Sequence, residues 1–203
     1  MTTMRSWFVP VVQFWFGDVD SLGRSDVMHS RRWFMKDEAL DREIADRFGD
    51  TYADVRAGLR EAWLDDPRGR VAYVIVLDQF ARNMFRGTAR AFEGDRQALA
   101  AAVEGVARHD DAALTVSERS FLYMPYMHSE EIGMQERSVA LFTELAASAP
   151  SELRASMVAA VQYAEEHREI IARYGRFPHR NTVLGRESTP EEIAFIAQPG
   201  SGF

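Results

Sequence analysis

Apolar residues along this chain recur mostly with a helical spacing. From Asp37 onward, DEALDREIADRF puts Leu40, Ile44 and Phe48 on one face with Ala45 beside them and charges elsewhere. Asp37 is the expected N-cap. Gly49 is expected to break or cap this helix, and TYADVRAGLREAWL resumes the pattern through Val55, Leu59, Ala62 and Trp63. Pro67 to Gly69 punctuates again. The run VAYVIVL, residues 71–77, is apolar all round and β-branched, which by composition suits a buried strand. The pattern nevertheless continues through Phe80, Ala81, Met84 and Phe85, and too few other strand-like segments exist to build a sheet. The whole segment RVAYVIVLDQFARNMFRG therefore reads as a central helix, buried on every side.

Cap signals divide the remainder. Asp95 is expected to cap RQALAAAVEGVARH, and Thr115 with Glu118 forms a capping box opening ERSFLYMPYM. Ser129 is the expected cap of EEIGMQERSVALFTELA, and Pro150-Ser151 opens a long helix ending near Tyr174, with Gly175 at C′. Thr189-Pro190-Glu191-Glu192 starts a short last helix, and the tail QPGSGF reads as a loop. Eight or nine helices with short connections make an all-α fold of antiparallel pairs, read as one domain over residues 1–203.

Composition narrows the function classes. A formal net charge of −7 and a pI near 5.3 argue against a nucleic-acid binder. Of 24 cationic residues only Lys36 is a lysine, so no arginine is notable merely for not being lysine. The chain has no cysteine, which removes disulfides, thiolate nucleophiles and cysteine metal sites, and fits a reducing, cytoplasmic compartment. The N-terminal MTTMRSWFVPVVQFWFG superficially suggests a signal peptide. Pro10 and Gln13 interrupt it, bulky aromatics end it, and no small-residue cleavage site follows. No apolar run is long enough to span a bilayer, so no membrane partner is expected. The aromatics Trp7, Phe8, Phe14, Trp15, Phe16, Trp33 and Phe34 read as core filling in preference to a stacking platform.

Three segments could carry chemistry. In DQFARNMFRG (78–87), Asp78 and Arg82 stand at i and i+4, with Arg86 a turn further and Asn83 beside Gln79. The arrangement suits a buried ion-pair network, or a pocket wall with Arg82 and Arg86 facing a ligand. RYGRFPHRNTVLGR (173–186) is rich in cations and has no acid. Arg173 and Arg176 finish a helix, whereas His179, Arg180 and Asn181 follow Phe177-Pro178 in a tight connection that can present polar groups. His128 and Glu131 are spaced like two metal ligands on one helix, but HREII (167–171) supplies no second pair, so no metal is expected. His167 reads as a partner of its helix dipole, with proton transfer as the alternative. No phosphate loop, dinucleotide fingerprint, nucleophile elbow or zinc-protease motif occurs, and no cofactor is expected.

The motifs FWFGD (14–18), WF-x-KD (33–37), RFG (47–49), LDQF-x-RN-x-FRGT (77–88), ERSFLY (118–123), HSEE (128–131), QE-x-SV-x-LF (135–142) and RYGRFPHRN-x-x-LGRESTPEE (173–192) occur in this order. Together they resemble the bacterial family named domain of unknown function 924, over nearly the whole chain. The resemblance implies an all-α fold similar to tetratricopeptide-repeat superhelices, but no activity. Ala81 stands where the family pattern has proline, which implies a kink or boundary there. Tyr174 stands in place of phenylalanine.

Three functional readings follow. The first is a binding module whose pocket gathers Arg82, Asn83, Arg86, His128, Glu130, His179, Arg180 and Asn181 around an anionic small molecule or acidic peptide group. The second is an enzyme on a small anionic substrate, with His179 or His128 transferring a proton and Glu130 orienting the histidine. The third makes the polar cluster purely architectural.

Overall fold

The computed structural model describes residues 7–33 and 35–198, so Phe34 and most of the tail loop lie outside the described residues. It is all-α. The helices are α1 (Val9–Phe16), α2 (Val27–Arg32), α3 (Glu38–Arg56), α4 (Pro67–Ile75), α5 (Ala81–Met84) and α6 (Asp95–Ala107). They continue as α7 (Val116–Met127), α8 (Ile132–Ser148), α9 (Arg154–Tyr174) and α10 (Pro190–Ile196). A π-helical turn, Val76–Phe80, joins α4 to α5 end to end, so the central segment is helical throughout, as its apolar period predicts. Among the described residues the only extended pairing is one antiparallel bridge between Val19 and Ser25.

The caps explain most of the boundaries. Asp37 accepts the amides of Ala39 and Leu40, and Asp66 those of Arg68 and Gly69 with Pro67 at the first helical position. Both predicted capping boxes form, at Thr115/Glu118 and Thr189/Glu192. Gly175 ends α9 in the left-handed conformation, φ 68°. Several boundaries depart from expectation. The helical pattern expected to run on through Leu59 and Trp63 ends at Arg56; Leu59 is exposed, and only a short 3-10 turn, Glu61–Asp65, follows. Gly49 does not break α3, which runs through it because Ile44, Phe48, Tyr52 and Val55 keep one buried face on either side. Long helix α9 starts at Arg154, a turn after Pro150-Ser151. Glu131, not Ser129, is the N-cap of α8, although the Ser129 hydroxyl accepts the Glu131 amide at 3.2 Å.

The core forms around α4, whose residues 71–75 are all buried; the helix packs on α1, α6 and α7. Each fully buried large apolar side chain there contributes about 1.5–3 kcal/mol. Helix α1 inserts Phe14, Trp15 and Phe16, and Trp15 meets Phe80 and Phe121 edge-on at 5.6 Å. The core-filling reading holds for Phe8, Phe14, Trp15 and Phe16, and Trp33 packs partly buried against them, whereas Trp7 is exposed. Helix α8 packs on both α7 and α9. A smaller apolar cluster, Ile170, Ile171 and Phe177 with Tyr174 and Phe195, anchors the C-terminal segment. Among the described residues no helix is long and apolar enough to cross a membrane.

Candidate functional site

A buried polar cluster joins the main core to this C-terminal cluster. It begins at the π-helical turn. An extra residue in one turn of helix re-aims side chains, and such turns recur at functional sites. Here the turn buries both Asp78 and Gln79. Its end at Phe80 places a boundary next to Ala81, where the family resemblance implies one.

Asp78 is fully buried and saturated. Its Oδ1 lies 2.9 Å from Arg82 Nη1 and 2.7 Å from His128 Nδ1, while Oδ2 accepts from Gln79 Nε2 at 2.5 Å. Burial pushes its carboxyl pKa up, but Arg82 and His128 outweigh that, so it falls well below the usual carboxylate range. Arg82 also donates to Asp95 through both terminal nitrogens, at 3.0 and 3.1 Å. Asp95 had been expected to cap α6; instead it occupies the first helical position behind an uncapped Gly94, and its carboxylate serves Arg82 and Arg180.

Arg180 comes from the short helical turn Pro178–Arg180 after α9. That turn is held rigidly. Phe177 is completely buried; its amide donates to Glu130 Oε1 at 2.9 Å and its carbonyl accepts from Arg186 Nη2 at 3.1 Å. Arg186 pairs with both oxygens of Glu130, at 2.7 and 3.0 Å, and donates Nε to Asn181 Oδ1 at 2.9 Å. Asn181 Nδ2 in turn donates to Ser188 and Glu192, and Arg176 grips Glu192 with two bonds. The guanidinium of Arg180 lies 4.4 Å from the Phe177 ring centre and 4.7 Å from that of Phe92. Its one hydrogen bond, Nη1 to Asp95, is long at 3.4 Å, and the buried Nε has no partner among the described residues. Burial first, and the charge of Arg82 second, lower its pKa to about 10.

Three histidines line the same region. The rings of His128 and His167 are 6.3 Å apart, and Phe177 stands 5.5 Å from His167 and 5.6 Å from His179. His167 Nδ1–H donates to the Tyr163 carbonyl one turn earlier in α9, at 2.7 Å. Burial lowers all three pKa values, His167 to about 3 and His179 to about 4; His128 and Arg180 respectively reinforce those two shifts.

The structure thus brings Arg82, His128, His179 and Arg180 together and assigns other partners to the remaining predicted residues. Arg86 does not continue the Asp78–Arg82 face. It lies beyond α5 and, with Asn83, clamps Asp41 of α3, at 2.8 Å for each Arg86 bond and 2.7 Å for Asn83. Glu130 does not orient a histidine, because Arg186 and the Phe177 amide take both its oxygens; Asp78 orients His128 instead. Asn181 is buried inside the network that shapes its turn. No group of His, Asp and Glu side chains suited to hold a metal ion occurs among the described residues. Sequence reasoning missed Asp95 as a member of the cluster, and Gln79 entered it only as a neighbour of Asn83.

An all-α protein with a buried Asp/Arg/His cluster at a π-helical turn is the class that fold and site define. The chain belongs to the family described as bacterial protein of unknown function (DUF924), whose pattern matches residues 11–200. It is similar to a solved protein of unknown function, ATU0120 from Agrobacterium tumefaciens, with 34% identity and a TM-score of 0.82. That match covers 96% of this chain and 99% of the other. Curated proteins give no match.

Proposed function

We propose that the protein is a binding module for a small anionic molecule or an acidic peptide group, with Arg180 as the receiving cation and His128 and His179 beside it. One comparison carries this reading. Arg70 is the structural buried arginine of the fold: it donates to Asp110, Ala101 O, Leu64 O and Glu104 at 2.8, 2.9, 2.7 and 3.3 Å. Arg180 is nearly as buried, yet it makes a single 3.4 Å bond and shares its carboxylate with Arg82. A buried donor left unmade costs about 1–3 kcal/mol, more when charged, and an arriving carboxylate or phosphate would recover it. A concave face of tetratricopeptide-like helix pairs, in a cytoplasmic protein, is the setting that this reading expects.

The test compares thermal melting of Arg180→Gln and wild type with and without inorganic phosphate. The expected result is a variant that melts near or above wild type, with phosphate raising the midpoint of wild type only. A variant that loses about 3–5 kcal/mol, with phosphate acting on neither protein, would make Arg180 structural.

A second reading is favoured by the Asp78–His128 bond. An imidazole fixed by a buried carboxylate and kept neutral by burial has the form of a general base. Turnover of small phosphate or carboxylate esters by wild type but not by His128→Asn would support it, provided the variant still responds to phosphate.

A further inference from the structure

The cluster around Arg180 is balanced in charge. Arg82 and Arg180 are matched by Asp78 and Asp95, and the flanking pairs Glu130–Arg186 and Glu192–Arg176 cancel likewise. Solvent reaches its edge, where the side chains of Arg82, Asp95 and His128 are 21, 22 and 16% exposed and His179 is half-buried. An anion docking on Arg180 therefore brings a charge for which the cluster offers no further cation among the described residues. Leaving that charge uncompensated out of water is costly, so a proton must accompany it. The arginines are already protonated and cannot take one up. Carboxylates ordinarily titrate near 4 and imidazoles near 6.5, so approaching from neutral pH a histidine takes the proton first.

His179 is the histidine best placed to do so, because it shares the short Pro178–Arg180 turn with Arg180 itself. Charges face its ring from every side: Arg180 on its own turn, Arg82 from α5, His128 and Glu130 from the connection between α7 and α8, and His167 from α9. After burial, the charge of Arg180 does most to keep the ring neutral; Arg82 and His128 act with it, and Glu130 opposes them. An anion on Arg180 cancels the strongest of these charges. His128, by contrast, keeps Asp78 as a partner at 2.7 Å whether or not an anion is bound, and His167 Nδ1–H is committed to the Tyr163 carbonyl.

We infer that His179 takes up a proton as the anion docks on Arg180, which makes this a proton-coupled site whose affinity rises as the pH falls. The coupling rests on Arg180 being the receiving cation, and adds what regulates it. Its sign follows from linkage. The free protein keeps the ring neutral well below about pH 6.5, whereas the complex returns it toward that ordinary value. Across the interval the complex holds more protons than the free protein, so binding weakens as the pH rises through it.

The test is calorimetric titration of the full chain with sulfate, which keeps its charge where phosphate itself gains a proton. The dissociation constant is expected to fall by up to about tenfold per pH unit between about pH 6.5 and 5. Near about pH 5.5, the heats in MES and in piperazine buffer should differ by the uptake of about one proton per sulfate. His179→Gln is expected to lose this pH dependence, and His109→Asn, at an exposed histidine outside the cluster, to keep it. Because His179→Gln could misfold, the Hε1 resonance of His179 is also followed against pH in wild type. Sulfate should raise its titration midpoint by at least about one pH unit, tenfold in proton affinity. Sulfate binding without proton uptake overturns the coupling and leaves Arg180 as an anion site. An unmoved His179 midpoint, or a pH dependence that persists in His179→Gln, overturns the assignment to His179. Absence of sulfate binding to wild type at every pH overturns the coupling and the reading of Arg180 together.

Discussion

Asp78 and His128, 50 residues apart in the sequence, meet at 2.7 Å and tie the π-helical turn to the C-terminal end of α7. The carboxylate sits wholly out of water, so Arg82, His128 and Gln79 must replace its hydration between them. Removing one member of a buried ion pair typically costs about 3–5 kcal/mol, because the partner is left uncompensated. Asp78→Asn is therefore expected to lower the melting midpoint by on the order of 10 °C, since about 1 kcal/mol moves a domain of this size by 2–4 °C. His128→Asn, which removes a neutral partner, should cost much less. Equal effects of the two substitutions would contradict the charge assignment.

Gly94 sets the position of Asp95. A β-carbon built on it would lie 2.5 Å from the Leu77 carbonyl oxygen, a backbone atom of the π-helical turn that cannot move aside. The residue's own backbone, at φ −83°, suits any amino acid, so only steric conflict bars a side chain there. Gly94→Ala should destabilise by about 1–3 kcal/mol, as overpacking does, and push the start of α6 away from the π-helical turn. If Asp95 then parts from Arg82 and Arg180, the variant should also lose stabilisation by phosphate. A normal melting curve would show that the two segments approach less closely.

The helices were readable because their signals are local. The period through Phe80 and Met84 told helix from strand where composition alone favoured a strand, and both capping boxes needed only residues three apart. The site was readable only in part. Asp78–Arg82 is an i,i+4 pair, and GRFPHRN stood out as a run of cations in a tight turn. The partners that decide what each cation does lie far away: Asp41 for Arg86, Asp95 for Arg180, Glu130 for Arg186. Asp95 shows the limit well, because a local rule made it a cap while a residue 85 positions on recruits its carboxylate. Arg70 carried no local signal, since its partners stand 31 to 40 residues along or belong to the backbone.

Arg86 supplies a control for the proposed anion site. Its side chain is 39% exposed, and Asp41 keeps Asn83 as a partner when Arg86 is gone. Solvent screens such a pair, so Arg86→Ala should cost about 1 kcal/mol or less. Phosphate should stabilise this variant as it does wild type. Loss of the phosphate response would move the receiving cation away from Arg180.

The histidines give the cluster a pH dependence with a definite sign. In the folded chain, burial holds His179 near 4 and His167 near 3, with further depression from Arg180 and from His128 respectively. In the unfolded chain both titrate at about 6.5. Above that pH they are neutral in both states, and their contribution to stability is fully present. As the pH falls below it, the unfolded chain takes up protons that the folded chain refuses. Stability is then lost at up to about 1.4 kcal/mol per pH unit for each histidine. The lowered pKa of His128 acts in the same direction, and Asp78 adds its own loss only below the ordinary carboxylate range of about 4. Melting curves are thus expected to shift steadily downward between about pH 6.5 and 4.5, and His167→Gln with His179→Gln should flatten that slope. A midpoint independent of pH across this window in wild type would mean that the two imidazoles accept protons within the fold, with the cluster open enough to solvate them.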